Sequence, residues 1–148
     1  METKFASHCS YKIRYHLVMC VKYRKKLLEP EKRIERLKQI FQEICERYWY
    51  EIEEMGTDGD HVHVFLGAVP RHSPSSIMQA MKSISGKQMF KTFPELREIM
   101  WGSEFWSDGG YIGTVGDQAN EEVVKKYIRE QGDHLEKAQA HQLRLFKF

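Results

Sequence analysis

Two histidines separated by one residue, His61 and His63, carry the clearest chemical signal in the 148-residue sequence. They lie in HVHVFLGAV (61–69), a segment whose composition predicts a β-strand, and alternate residues of a strand point to one face of a sheet. Two neutral imidazoles on one face can bind a divalent metal. A pair of partly buried, hydrogen-bonded histidines is the alternative. Asp60, directly before His61, is a candidate to orient that ring, although acidic turns are common.

A tyrosine in the last predicted helix, Tyr127, is a candidate nucleophile. Helical spacing places Gln131 one turn later on the same face, within an apolar stripe. That stripe alone indicates an ordinary core tyrosine. A phenol attacks poorly unless its electrophile is activated, and a metal ion bound to a phosphodiester oxygen supplies that activation. The tyrosine and the histidine pair therefore support each other as parts of a site that acts on phosphodiesters.

A basic segment with an embedded aromatic residue follows the first predicted strand and comprises Lys22, Tyr23, Arg24, Lys25 and Lys26. Such a segment can follow a phosphate backbone and stack a base, although a solvated basic turn has the same composition. Residues on the second predicted helix and the first strand extend this candidate DNA-binding surface: Lys82, Lys87, Lys91, Arg14 and His16. The sequence contains no glycine-rich phosphate loop, which argues against a nucleotide cofactor.

The composition limits the class of protein. Apolar residues make up 41% and charged residues 30%, which is typical of a globular chain, and the length predicts a single domain over 1–148. The net charge is only +2, so a surface that binds a polyanion must be local. The apolar runs are too short to cross a membrane, and three cysteines without paired spacing fit a reducing compartment. We expect a cytoplasmic protein that does not associate with membranes.

The predicted elements follow the order β-α-β-β-α-β-α. Strands are expected at 10–23, 50–57, 61–69 and near 110–115, with a hairpin turn at 57–60. The first helix has Pro30 in its first turn, the second runs from Ser75 or Ser76 to about Phe90, and the last follows Asp117 or Asn120. This order is typical of an α+β fold with a ferredoxin-like or RRM-like antiparallel sheet and helices on one face. A C-terminal helix with the tyrosine is added to it.

The sequence resembles the single-tyrosine HUH transposases of the IS200/IS605 insertion-sequence family. Five segments carry the resemblance in order: YHLVMCVKYRKK (15–26), GDHVHVFLGAVP (59–70), KSISGKQMFKTFPEL (82–96), YIGTVG (111–116) and YIREQ (127–131). The resemblance implies a single HUH transposase domain with a ferredoxin-like sheet. It also implies cleavage and rejoining of single-stranded DNA at insertion-sequence ends through a 5′-phosphotyrosine, with recognition of hairpins near those ends.

The same resemblance implies a role for each site residue. Tyr127 would be the nucleophile, His61 and His63 the metal ligands, and Gln131 the third ligand. The implied cofactor is Mg²⁺ or Mn²⁺, without a nucleotide. Members of the family are homodimers in which the tyrosine helix completes the partner's site. The expected partners are therefore single-stranded DNA with a hairpin and a second copy of the chain, in the cytoplasm of a prokaryotic cell.

Three alternatives stay open at this point. A REP-associated tyrosine transposase would use similar chemistry, and such proteins usually carry extra C-terminal sequence. A non-catalytic RRM-like module that binds single-stranded nucleic acid would share the fold but would not need Tyr127 and Gln131 on one helix face. A metal-binding structural or sensory domain is the third alternative.

Overall fold

A four-stranded antiparallel sheet organises the described part of the chain. The computed structural model describes residues 2–116 and 118–129. Its elements are β1 (Lys4–Phe5), β2 (Ser10–Tyr11), β3 (Arg14–Cys20), a 3₁₀ turn (Lys22–Arg24), α1 (Glu31–Tyr48), β4 (Glu51–Thr57), β5 (His61–Gly67), α2 (Pro74–Thr92), α3 (Leu96–Ile99), β6 (Tyr111–Thr114) and α4 (Gln118–Arg129). The main sheet has the order β4-β5-β3-β6, and β1 pairs only with β2. This connectivity is ferredoxin-like, so the predicted α+β class is confirmed.

The first strand is shorter than the sequence predicts. Residues 10–11 pair with β1, and β3 begins only at Arg14, which lies opposite Gly67 of β5. β3 ends at Cys20, and soon afterwards Tyr23 and Arg24 adopt φ angles of 63° and 55°. Positive φ is incompatible with an extended strand. The basic segment is therefore a tight turn rather than the end of a long strand.

The two faces of the sheet are covered differently. Val62 and every second residue after it in β5 are buried in the main core with α1 and α2. The intervening residues His61, His63 and Phe65 point to the opposite face because side chains alternate along a strand. There Phe65 packs against Ile128 of α4 in a second, smaller cluster. The candidate ligands thus lie on the face that the tyrosine helix covers.

Local capping sets where the helices begin. α2 starts at Pro74, slightly before the predicted Ser75 or Ser76, because the Ser73 hydroxyl accepts a hydrogen bond from the Ser76 amide at 3.2 Å. Proline is well suited to the first helical position. Pro30 differs, since it is the N-cap of α1 and lies one residue before the first turn in which the sequence predicts it. Among the residues that the structure describes, no helix is both long enough and apolar enough to cross a membrane.

The hairpin between β4 and β5 has its turn where the sequence predicts it. The turn contains Gly59 with a φ of 72°, a conformation that favours glycine. The Gly59 carbonyl accepts a hydrogen bond from the Leu28 amide, and the Asp60 carbonyl accepts one from the Val21 amide, both at 2.8 Å. The segment that follows β3 therefore holds the turn that carries Asp58 and Asp60.

Helix α4 packs on its own chain's sheet through apolar contacts and ion pairs. Ile128 is buried against Phe65, as described above. Lys125 Nζ lies 2.8 Å from Glu53 Oε2, and Arg129 Nε lies 3.8 Å from Glu54 Oε1. The helix begins at Gln118, which is too early for Asn120 to be its N-cap, and the other predicted cap, Asp117, lies outside the described residues.

Candidate active site

The structure places both histidines on one face of the sheet, as the sequence predicts. In the antiparallel ladder His61 lies opposite Cys20 and His63 opposite Val18. Both histidines are buried, and their ring centroids are 5.0 Å apart. β5 is paired on both sides, with β3 and β4, so the backbone that carries the two rings is rigidly held.

A third histidine, His16 of β3, is hydrogen-bonded to this pair. His16 Nε2 and His63 Nδ1 are 2.9 Å apart, and the two rings are stacked with centroids 5.1 Å apart. Burial lowers the pKa of His16 to about 4. The expectation that His16 joins a phosphate-binding surface is therefore wrong, because the ring is buried and uncharged at neutral pH. Only the register of β3 against β5 reveals its place.

His61 is held from the other side by the acidic turn. Asp60 Oδ1 accepts a hydrogen bond from His61 Nδ1 at 2.6 Å, which places Asp60 where the sequence analysis expects an orienting carboxylate. Asp58 lies close by: one ligand atom each from Asp58, Asp60 and His61 lie within 4.8 Å of one another. The end of the hairpin therefore combines two carboxylates with an imidazole.

Tyr127 of α4 lies directly against His63. The two rings are in an edge-to-face arrangement with centroids 5.4 Å apart. The Tyr127 hydroxyl is buried and has no hydrogen-bond partner among the described residues. Burial raises the pKa of this phenol, and the Asp58 carboxylate raises it further, so the hydroxyl keeps its proton at neutral pH. An unpartnered buried hydroxyl costs about 1–3 kcal/mol, which a phosphate oxygen or a cation beside it would offset.

The donor set fits a divalent cation. Burial, followed by the neighbouring His16 and His61 rings, lowers the pKa of His63 well below its usual value, so this imidazole is neutral as a ligand must be. Neutral imidazoles and carboxylates together suit several divalent metals. Gln131, the expected third ligand, lies outside the described residues.

Arg14 does not lie on an exposed basic surface. Only 3% of it is exposed, and its Nε donates a hydrogen bond to Glu53 Oε1 at 2.7 Å. It crosses Gly67 of β5, where an added Cβ would lie 3.0 Å from Arg14 Nη1. Burial alone would raise the pKa of Glu53, but hydrogen bonds from Lys125 and Arg14 hold it below its usual value. Arg14 thus ties β3 to β4, and the expected contact with DNA does not fit its place.

The other predicted basic residues divide into two groups. Lys82 Nζ donates hydrogen bonds to the carbonyls of Asp108 and Gly109 at 3.1 and 2.7 Å, so it holds the loop before β6. Burial lowers the pKa of Lys82. Lys87 is exposed on α2. The residues that stand together at the surface are those of the turn after β3: Lys22, Tyr23, Arg24 and Lys25.

Comparisons with known proteins agree with this fold and identify the family. The model of a family described as "Transposase IS200 like" matches residues 9–131. The ISDra2 transposase TnpA of Deinococcus radiodurans is 34% identical over 133 residues, which cover 90% of this chain and 94% of that protein. The transposase for insertion sequence element IS200 of Salmonella typhimurium is 32% identical over 130 residues, which cover 88% of this chain and 84% of that protein.

Solved structures give the same result. A crystal structure of a Deinococcus radiodurans protein described as a transposase matches with a TM-score of 0.70 and 31% identity, over 86% of this chain and 97% of that one. A REP-associated tyrosine transposase bound to a REP hairpin shares the fold, with a TM-score of 0.58 at 12% identity, over 85% of this chain and 72% of that one. The family model and the relatives above 30% identity confirm the resemblance seen in the sequence, and the chain belongs to the IS200-like transposase family.

Proposed function

We propose that this transposase cuts and rejoins single-stranded DNA with Tyr127 as the nucleophile, and that His61 and His63 bind a divalent metal, Mg²⁺ or Mn²⁺. One observation carries the proposal: the Tyr127 hydroxyl is buried, has no hydrogen-bond partner in the part of the chain that the structure describes, and belongs to a ring packed on His63. A tyrosine that served only the core would have its hydroxyl paired or in water. Gln131 is proposed as the third ligand on its spacing from Tyr127 alone.

The proposed reaction uses two transfers at one phosphorus atom. The Tyr127 hydroxyl loses its proton and its oxygen attacks the scissile phosphate. The bond between phosphorus and the 3′ oxygen breaks, and that oxygen takes up a proton and leaves as the free 3′-hydroxyl, while the bond between phosphorus and the 5′ oxygen stays intact. The product is a 5′-phosphotyrosine, which a second 3′-hydroxyl attacks to restore both a phosphodiester and the free phenol. A divalent metal bound at the site supplies Lewis-acid polarisation of the phosphate.

Two hydrogen bonds, one buried and one part-buried, orient the candidate ligands. Asp60 accepts from Nδ1 of His61, and His16 is bonded to Nδ1 of His63. Each ring then presents its Nε2 as the ligand atom, because a neutral imidazole with its proton on one nitrogen has its lone pair on the other. For His63 this requires Nδ1 to donate to His16 Nε2. Partners of this kind hold ligands in place in metal sites generally.

The role of His16 can be measured by metal binding. Replacing His16 with leucine removes the acceptor for His63, and we expect Mn²⁺ binding to weaken about 10- to 100-fold. Replacing His16 with glutamine places an amide oxygen near the lost Nε2, and we expect most of the affinity to return. Calorimetric titration of Mn²⁺ into each folded variant gives the comparison. Equal affinities for the wild type and the leucine variant would contradict the role.

The direct test of the proposed function is formation of a covalent adduct. A labelled single-stranded oligonucleotide with a hairpin and an insertion-sequence end is incubated with the protein and Mg²⁺, then run on a denaturing gel. Label that moves with the protein and is released by nuclease digestion supports the tyrosine intermediate. A protein that binds the oligonucleotide without an adduct or cleavage would instead be a non-catalytic binding module.

We propose single-stranded DNA with a hairpin as the substrate and a homodimer as the active form. The fold shared with a transposase bound to a REP hairpin supports the substrate class. In the proposed dimer the tyrosine helix of each subunit leaves its own sheet and packs on the partner's sheet. There it completes the partner's site. Gly113 is paired with His16 within β6, so Gly116 is the glycine available as a hinge before α4.

A mixed dimer separates the shared site from a site within one chain. A His63→Ala subunit is combined with a Tyr127→Phe subunit, and the mixed species is purified with two affinity tags. If the sites are shared, one site carries both defects and the other is intact, so about half of the wild-type cleavage should return. Both homodimers serve as inactive controls. A mixed dimer without activity would contradict the shared site.

A further inference from the structure

Two exposed aromatic residues from distant parts of the sequence meet beside the basic turn. Tyr23 is 54% exposed and Trp101 is 74% exposed. Their ring centroids lie 5.4 Å apart. Tyr23 follows β3, whereas Trp101 follows the short helix α3, so only the fold brings them together. Large aromatic rings are rarely left exposed as a pair without a partner that covers them.

The backbone holds both rings outward. Tyr23, Arg24 and Trp101 have φ angles of 63°, 55° and 53°, and they are three of the four described non-glycine residues with positive φ. Side-chain-bearing residues adopt this conformation only where the surrounding structure imposes it, and such positions cluster at ligand sites. Here the Lys22 amide donates to the Phe105 carbonyl at 2.9 Å, which ties the two segments together. The aromatic pair is therefore preorganised.

Uncompensated positive charge surrounds the pair. Lys25 Nζ lies 4.6 Å from the centre of the Trp101 ring, and Lys22 Nζ lies 5.7 Å from that of Tyr23. Arg24, which lies between Lys22 and Lys25 in the sequence, is exposed. Within the described residues none of these three cations forms a salt bridge, so their charge is available to phosphates. Aromatic faces bordered by cations are what single-stranded nucleic acid requires for stacking and backbone contact.

The aromatic pair also lies at the end of the sheet that carries the candidate active site. Cys20 is the strand partner of His61, and the next amide, that of Val21, donates to the carbonyl of Asp60 at 2.8 Å. Tyr23 is three residues beyond Cys20, a distance of at most about 10 Å along the chain. Single-stranded DNA with a phosphate at Tyr127 therefore needs only a short flanking segment to reach the Tyr23 and Trp101 rings.

We infer that Tyr23 and Trp101 form a stacking platform for bases of the single-stranded DNA that flanks the cleaved phosphate, and that Lys22, Arg24 and Lys25 contact its backbone. The inference rests on the proposed function and adds the place where the unpaired strand is held. A duplex cannot use the platform in this way, because its base faces are already stacked on one another. The positive charge around the two rings attracts DNA phosphates. The same surface on a second copy of the chain would also be basic and would be repelled.

The test compares single alanine variants in binding to an oligothymidine of about 20 nucleotides, measured by fluorescence anisotropy without metal. Trp101→Ala and Tyr23→Ala should each weaken binding about tenfold, and Trp101→Phe should restore most of it because it keeps an aromatic face. Binding to a duplex of equal length should not change. Trp49→Ala is the matched control, since Trp49 is also exposed, has a φ of 62° and has Arg71 over its ring, but lies at the end of α1.

The outcomes separate the platform from the reaction. Wild-type affinity of Trp101→Ala for oligothymidine, or an equal loss on duplex, would overturn the platform. A second result would also overturn the platform. If Trp101→Ala changes the oligomeric state, measured by light scattering, but leaves oligothymidine binding unchanged, the two rings belong to a protein interface. If adducts form through Tyr127 but Trp101 has no effect, the platform fails and the proposed function stands. If oligothymidine binding depends on Trp101 but adducts never form, the platform stands and the proposed function fails.

Discussion

Replacing Tyr127 with phenylalanine is expected to abolish both the covalent protein–DNA adduct and strand cleavage. The change removes one oxygen, the proposed nucleophile, and rate losses on the order of 10³-fold or more are usual when a nucleophile is deleted. The fold should be unaffected or slightly more stable, because the lost hydroxyl is buried and has no partner among the described residues. The measurement is the denaturing gel with labelled hairpin oligonucleotide, together with thermal unfolding.

Two controls make the Tyr127 result interpretable. Binding of the same oligonucleotide should be retained, since the ring and its contact with His63 remain. Adduct formation at the wild-type rate would transfer the role of nucleophile to another residue. Tyr111, whose ring lies 6.1 Å from that of His16, would be examined first and Tyr23 next.

Replacing His63 with alanine should reduce cleavage at least about 100-fold and leave binding of the oligonucleotide intact. His63 is the ring that contacts His16, His61 and Tyr127 together, so its loss removes a proposed ligand at the centre of the site. Removal of metal from the wild type with EDTA should have the same effect, and Mn²⁺ or Mg²⁺ should reverse it. The measurement is the cleavage rate with and without added metal.

Because His63 is buried, the alanine variant also leaves a cavity and removes the hydrogen bond between His63 and His16, so its fold must be checked. His61→Ala provides a second variant that leaves the His16–His63 hydrogen bond in place, and it should lose cleavage to a similar extent. Gln131→Ala should be milder, since water can replace a neutral amide oxygen. Cleavage by the wild type after exhaustive chelation would refute the metal requirement, whatever the variants do.

Local sequence patterns predicted the elements well because each element's own residues decide it. The alternation in β5 placed His61 and His63 on one face, and Gly59 marked the turn between β4 and β5. The apolar spacing of the last helix likewise placed Tyr127 on the face that meets the sheet, where its ring packs on His63. Its role as nucleophile stays a prediction. These signals are short-range, so a single sequence contains them in full.

The features that the sequence did not predict depend on contacts between distant segments. Charge alone suggested that Arg14 lies at the surface, but Gly67 leaves room for it and Glu53 provides its counter-charge two strands away. His16 became a partner of His63 only through the pairing of β3 with β5. Trp101 joined Tyr23 because the loop after α3 returns to the end of β3. None of these pairings leaves a local pattern.

The attachment of α4 has a consequence for how the site opens. The main core lies on one face of the sheet, whereas Ile128 and its neighbours Phe65 and Val115 form a separate cluster on the other. Of the two ion pairs of α4, that of Arg129 with Glu54 is half-exposed and adds little stability, whereas that of Lys125 with Glu53 is mostly buried. Because this cluster is small and separate from the main core, we expect the helix to open as a unit of its own, with a free energy below that of the core. We therefore expect the amides of α4 to exchange with solvent hydrogen by local release, so that Tyr127 can move away from His61 and His63 while the sheet that carries the two histidines stays folded.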